Sequence, residues 1–186
     1  MKTVAVGGVM IAVFVVIGLV FNVNVRAVQT YVEILKTAII AVCIRKFIPP
    51  KNSAVFLVAC FLVCLILLPV HHAIIYNVPS LIGGYVIGRK REKYQIIRDY
   101  FPFFFVNTLM IAYKYLIYNL LMNTNLFLAY REGFSSVFSD VLGINISPAI
   151  LNYVFILSLV ADSAISSIII YTISIFVIKQ VDKVIK

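Results

Sequence analysis

Apolar side chains fill six stretches of this chain, at about 4–21, 27–44, 54–70, 73–88, 101–122 and 148–178, and clusters of charged residues, prolines or amides separate them. A helix needs ~20 residues to cross the hydrocarbon core of a bilayer. Backbone N–H and C=O groups in lipid must bond within their own segment, so apolar runs of this length predict helices. The punctuation agrees. Arg45-Lys46-Phe47-Ile48-Pro49-Pro50-Lys51 closes the second run with two prolines, which cannot continue a helix. Pro69 and the pair His71-His72 close the third. The fourth run is short and contains Asn77, Pro79, Ser80, Gly83 and Gly84, which predicts a kinked or partial crossing. Residues 123–147 form the longest polar connection, of a length usually functional or locally helical. The last run exceeds one crossing and predicts a tilted or protruding helix.

Composition removes the soluble alternatives. The chain is 63% apolar and 12% charged over 186 residues, with a mean hydropathy of +1.07. Soluble domains are ~45–50% apolar and ~25% charged, and a core of this size leaves much of its surface in water. These values exclude a soluble enzyme, a nucleic-acid binder and a secreted disulfide scaffold, and leave no room for a separate soluble domain. Cys43, Cys60 and Cys64 lie within apolar runs without CxxC spacing and read as small core residues. The first run resembles a signal peptide, but Val25-Arg26 stands where a small-residue cleavage site belongs, so it reads as a retained helix.

The net charge of +9 orients the segments. Lys2, then Arg45, Lys46 and Lys51, then Arg89, Lys90, Arg91, Lys93 and Arg98, then Lys179, Lys183 and Lys186 occupy alternate ends: twelve of sixteen cations. Lysine and arginine are retained on the cytoplasmic side, so the expectation is an all-α, multi-pass protein of the cell membrane, a bundle of six transmembrane helices with both termini cytoplasmic.

Four ionisable residues fall inside the apolar runs: Glu33, Lys36, Lys114 and Asp162. Charge at mid-bilayer is costly and faces a bundle interior, which makes each a site candidate. Gln29, Glu33 and Lys36 follow i, i+4, i+7 spacing; Asn107, Lys114 and Tyr118 share a face with Tyr115 and Asn119 beside it; Asn152 precedes a row of Ser158, Asp162 and Ser166. One account pairs Glu33 with Lys36 and Lys114 with Asp162 as structural ion pairs. The other lines an outward-opening pocket with Glu33, Lys36, Lys114, Tyr115, Tyr118, Asn119, Asn152 and Asp162, roofed by residues 123–147, where lysine meets a polar ligand group and tyrosines supply flat walls. No phosphate loop, GxSxG elbow, metalloprotease motif or Cys/His pairing is present in the sequence, so no enzyme activity or cofactor is expected. The adjacent histidines read as interfacial and not as metal ligands, and no metal site is expected. Gly83, Gly84 and Gly88 read as a close helix contact or a helix break. Ala5, Gly8 and Ala12 form a small-residue stripe suited to another helix, internal or from a partner subunit.

Six short-looped helices, the stretch Pro79-Ser80-Leu81-Ile82-Gly83-Gly84-Tyr85-Val86-Ile87-Gly88-Arg89-Lys90, the small stripe on the first helix and the Lys-rich end from Ile173 to Lys186 resemble the substrate-binding S components of energy-coupling-factor (ECF) vitamin transporters. That resemblance implies a substrate-capture subunit for a vitamin-like small molecule, bound from outside. It further implies a transmembrane coupling subunit with two ATPases, docked in part at Ala5, Gly8 and Ala12. An ion-coupled secondary transporter or channel and a noncatalytic scaffold of the rod-shape determining type are the alternatives.

Overall fold

A computed structural model describes residues 2–20, 26–89, 96–123, 125–141 and 143–184. Lys90, Arg91, Glu92 and Lys93 of the basic stretch, and Lys186 of the tail, lie outside them. The described residues are all-helical: α1 (Lys2–Val20), α2 (Arg26–Lys46), α3 (Ser53–Leu67), α4 (Val78–Gly88), α5 (Ile96–Met122), α6 (Leu126–Ser136) and α7 (Pro148–Val184). A helical turn, Val70–His72, and a π-helical segment, Ala73–Asn77, lead directly into α4. The irregularity expected in the fourth run is therefore a wide turn just before Pro79, whose missing N–H the π spacing accommodates. Three stretches, Pro50–Leu67, Arg98–Leu121 and Pro148–Val184, are long and apolar enough to cross a membrane, and Ala5–Val20 is a shorter apolar helix.

The central unit is the pair α2 and α4. Lipid supplies no hydrophobic force between helices, so close association there rests on small residues that bring backbones together. A Cβ placed at Gly84 would lie 2.6 Å from Cβ of Ile40, and one at Gly88 would lie 2.6 Å from the carbonyl oxygen of Ala41. Of the two readings of these glycines, close contact is the one observed.

Each flank of this pair packs its own core. On one side Phe14 and Val15 of α1 and Phe56, Cys60 and Cys64 of α3 join Ile40 and Cys43 of α2. All three cysteines are buried as free thiols. On the other side Ile34 and Ala41 of α2 and Ile87 of α4 meet Phe103 of α5 and Ile170, Tyr171 and Ile178 of α7. The outside is apolar as well: Val9, Val55, Ile66, Phe105, Leu116 and Leu157 are exposed. Exposed apolar side chains in this number mark contact with a membrane or a partner.

Between α5 and α7 the seam is polar. Asn107 Nδ2 donates to Ser167 Oγ at 2.8 Å and Ser166 Oγ at 3.0 Å, and the Thr108 and Ser163 hydroxyls lie 2.6 Å apart. Such interhelical bonds contribute about 0.6 kcal/mol each in a membrane. At 37 residues α7 is longer than one crossing needs, and it runs on through Val184, where Asp182 forms an ion pair with Lys46 at the end of α2.

Candidate functional site

A cavity of about 580 Å³ opens at the end of the bundle away from the Lys46–Asp182 pair. Its walls come from the start of α2 (Gln29, Thr30, Glu33), the turn and π segment before α4 (His71, His72, Ile75, Tyr76), the second half of α5 (Asn107, Ile111, Lys114, Tyr115, Tyr118) and the middle of α7 (Asp162, Ser166, Ile170). Leu126 and Tyr130 of α6 complete it as a roof. The volume is within the usual range for small-molecule pockets, and apolar walls with a few converging polar groups are their usual lining.

Helical repeat explains why these residues meet. On α5, Asn107, Ile111, Lys114, Tyr115 and Tyr118 recur at three- and four-residue intervals and form one face. On α7, Asp162, Ser166 and Ile170 form a row at four-residue intervals.

The ion pair at the centre differs from both pairings expected from sequence. Lys114 Nζ lies 2.5 Å from Glu33 Oε2, joining α5 to α2, with the two side chains 24% and 16% exposed. Lys36 turns away instead. Three residues along a helix leave it rotated by roughly 60° from Glu33, and it enters the core beside α1. There its ammonium donates to Asn77 Oδ1 at 2.6 Å and stands 5.1 Å from the centre of the Phe14 ring. A cation shielded from water needs such acceptors. Gly18 leaves room for it, since a Cβ there would lie 2.8 Å from Lys36 Nζ.

Of the eight residues singled out in the sequence, the structure brings Glu33, Lys114, Tyr115, Tyr118 and Asp162 to this cavity. It places Lys36, Asn119 and Asn152 elsewhere. Asn119 Oδ1 accepts from the backbone N–H of Leu126 at 2.9 Å, so it ties the first turn of the roof to α5. Asn125 Oδ1 caps the same helix by accepting from Leu128 N at 3.2 Å. Asn152 Oδ1 is buried without a hydrogen bond among the described residues. Tyr76 and Tyr130 are tyrosines of the wall that sequence reasoning missed. An aromatic in the polar connection was the available signal for Tyr130, whose ring packs edge-on to Tyr115 at 5.8 Å.

Because Asn119 and Asn125 share the task of holding α6, Asn119→Ala loosens the roof without unfolding the bundle. The expected result is faster backbone amide exchange at Leu126, a loss of about 1 kcal/mol in the free energy of opening, and unchanged exchange in α3. Unchanged exchange at Leu126 contradicts this.

His72 lies in the turn between two apolar runs, with its ring 4.6 Å from that of His71 and 5.2 Å from that of Tyr76. Burial, then the neighbouring His71 and Lys36, hold its pKa below the ordinary histidine value. The proton is thus bound more weakly in the folded state than in the unfolded one. Its contribution to stability is complete above pH ~6.5 and is lost as the pH falls below that value. Thermal unfolding in detergent from pH 7.5 to 5 checks this: the wild type loses stability towards acid pH more steeply than His72→Gln, and parallel curves contradict it.

No protein family, curated protein or solved structure matches the chain.

Proposed function

We propose that this protein is a multi-pass membrane-embedded capture subunit for a vitamin-like small molecule, with six crossings, both termini cytoplasmic and the tyrosine-walled cavity opening outward. The single observation that carries the proposal is the cavity itself. Tyr76, Tyr115, Tyr118 and Tyr130 offer ring faces and edges to a flat solute, and the Glu33–Lys114 pair offers an acceptor and a donor beside them. Gln29, Glu33, Asn107, Lys114 and Asp162 converge on that concavity while large apolar side chains are exposed on the outside, as expected of a binding site built inside a membrane protein.

Capture alone does not move a solute across a membrane. The resemblance to ECF S components supplies a route: a transmembrane coupling subunit with two ATPases, since this sequence holds no phosphate-binding loop of its own. Ala5, Gly8 and Ala12 lie exposed on the outer face of α1, and Gly8 has open space beside it. That stripe is where such a subunit is proposed to dock.

Mass spectrometry of small molecules released from the detergent-purified protein tests the capture reading. A compound present at near-stoichiometric amount in the wild type and depleted about tenfold or more in Lys114→Ala and Asp162→Ala is expected. Wild-type preparations that release no compound, and show no thermal shift with any member of a vitamin panel, overturn it.

A further inference from the structure

Lys36 stands in the middle of α2, outside the tyrosine-walled cavity, and the capture reading so far gives it no role. An ionisable side chain inside a membrane bundle is costly and marks a function by default. Lysines near helix ends send their ammonium out to water. Lys36 does not, being 3% exposed. No acid forms an ion pair with it among the described residues. Its hydrogen-bond acceptor is Oδ1 of Asn77, which is itself buried.

Asn77 is the last residue of the π-helical segment Ala73–Asn77, and both ends of its amide are bonded. Oδ1 accepts from Lys36 Nζ at 2.6 Å, and Nδ2 donates to the His72 carbonyl at 3.4 Å. The amide thus clamps the segment from its start to its end and fastens it to α2. The π register leaves one more group to satisfy: the Ile74 carbonyl would accept from residue 79, but Pro79 has no N–H. The Tyr113 hydroxyl of α5 donates to it instead at 3.2 Å. Side chains from two neighbouring helices therefore hold a stretch whose spacing is irregular, and that stretch supplies cavity wall: His72, Ile75 and Tyr76 all line it. Single π turns within helices are found frequently at functional sites.

We propose that Lys36 is a positioning residue for the ligand-binding wall: through Asn77 it holds the π-helical segment in the register that presents His72, Ile75 and Tyr76 to the solute. The use of that wall rests on the capture reading, while its geometry rests on the bonds just described. One turn of α2 then has two tasks. Glu33 lines the cavity with Lys114, and Lys36 fixes the wall beside it.

The test compares the full-length wild type with Lys36→Met/Asn77→Leu in detergent, by thermal unfolding and by backbone hydrogen exchange. Replacing a shielded polar pair with apolar side chains of similar volume is neutral or stabilising, so the unfolding midpoint is expected to stay at or above that of the wild type. Exchange at residues 73–77, slow in the wild type, is expected to rise about tenfold with α3 and α7 unchanged, because both Asn77 bonds are lost. The compound that mass spectrometry identifies in wild-type preparations is expected to be retained about tenfold less. A lysine that only fills the core would leave exchange at 73–77 and retention unchanged once its volume is replaced, and that result overturns the proposal. Fast exchange at 73–77 in the wild type overturns it as well. Lys36→Met alone, which keeps the Asn77 bond to His72, should raise exchange there about threefold and stands in for the double variant should that one fail to fold. Wild-type preparations that release no compound overturn the capture reading, and exchange at 73–77 then still decides whether Lys36 holds the segment.

Discussion

Lys114→Ala lowers the stability of the detergent-solubilised protein by about 1–3 kcal/mol, and pairing it with a change at Glu33 restores most of the loss. Removing one member of a shielded ion pair leaves the other charge without its partner, a larger penalty than the pair's net worth. Glu33 faces that penalty because its side chain is 16% exposed and Lys114 approaches to 2.5 Å. Partial access to the cavity keeps the figure below the 3–5 kcal/mol of a fully buried pair. Glu33→Gln/Lys114→Met removes both charges with nearly the same volume, so its midpoint should return close to that of the wild type, while ligand retention should not. A double variant no more stable than Lys114→Ala would show that these charges do not act on one another. Stability and binding separate in this cycle, which distinguishes a structural pair from a ligand-contacting one.

Gly84→Val and Gly88→Val are expected to be the most damaging single changes in the bundle, at about 3 kcal/mol or more. A Cβ at Gly84 meets Ile40 at 2.6 Å and the Thr37 carbonyl oxygen at 2.9 Å; one at Gly88 meets the Ala41 carbonyl oxygen at 2.6 Å. Backbone atoms of α2 cannot rotate away, so the helices must separate along the contact that both cores share. Gly83→Ala, where the nearest atoms stand 3.4 Å off, should cost far less. Gly133→Ala on α6 has open space and exchanges glycine for a better helix former, so it should be neutral or stabilise by up to about 1 kcal/mol. Thermal unfolding and the fraction recovered as a monodisperse species read all four. A ranking that did not follow these distances would contradict the α2–α4 contact.

The contact and the cavity differ in how far the sequence foretold them, for a physical reason. Periodicity within one helix is local, so the face carrying Lys114, Tyr115 and Tyr118 could be read from spacing, as could Asp162 with Ser166. Which helix a face meets is not local. Glu33 and Lys36 looked like one stripe, yet rotation of roughly 60° between them sends one to α5 and the other to Asn77 and Phe14. Asn119 looked like a pocket residue because it is polar and near the end of α5. Its partner is a backbone N–H seven residues on, and only the fold of the 123–147 connection reveals that use. The same connection holds α6, whose Tyr130 reaches the cavity across a turn that begins at Asn123, a left-handed residue with φ 48°. Asparagine tolerates that conformation, which lets the helix stop and the chain fold back. The helices were legible through length and hydropathy. Their pairings depended on the shapes of Gly83, Gly84 and Gly88 against α2, for which the sequence offered two readings.

On the proposed topology the tyrosine-walled cavity and the Lys46–Asp182 end of the bundle face opposite sides of one membrane. Labelling with a membrane-impermeant thiol reagent tests it directly, because Cys43, Cys60 and Cys64 are all fully buried and give little background. Ser135→Cys on the exposed side of α6 should react in intact cells, while Lys51→Cys should react only after the membrane is opened. Reaction of both from the same side, or of Lys51→Cys in intact cells, would contradict the account.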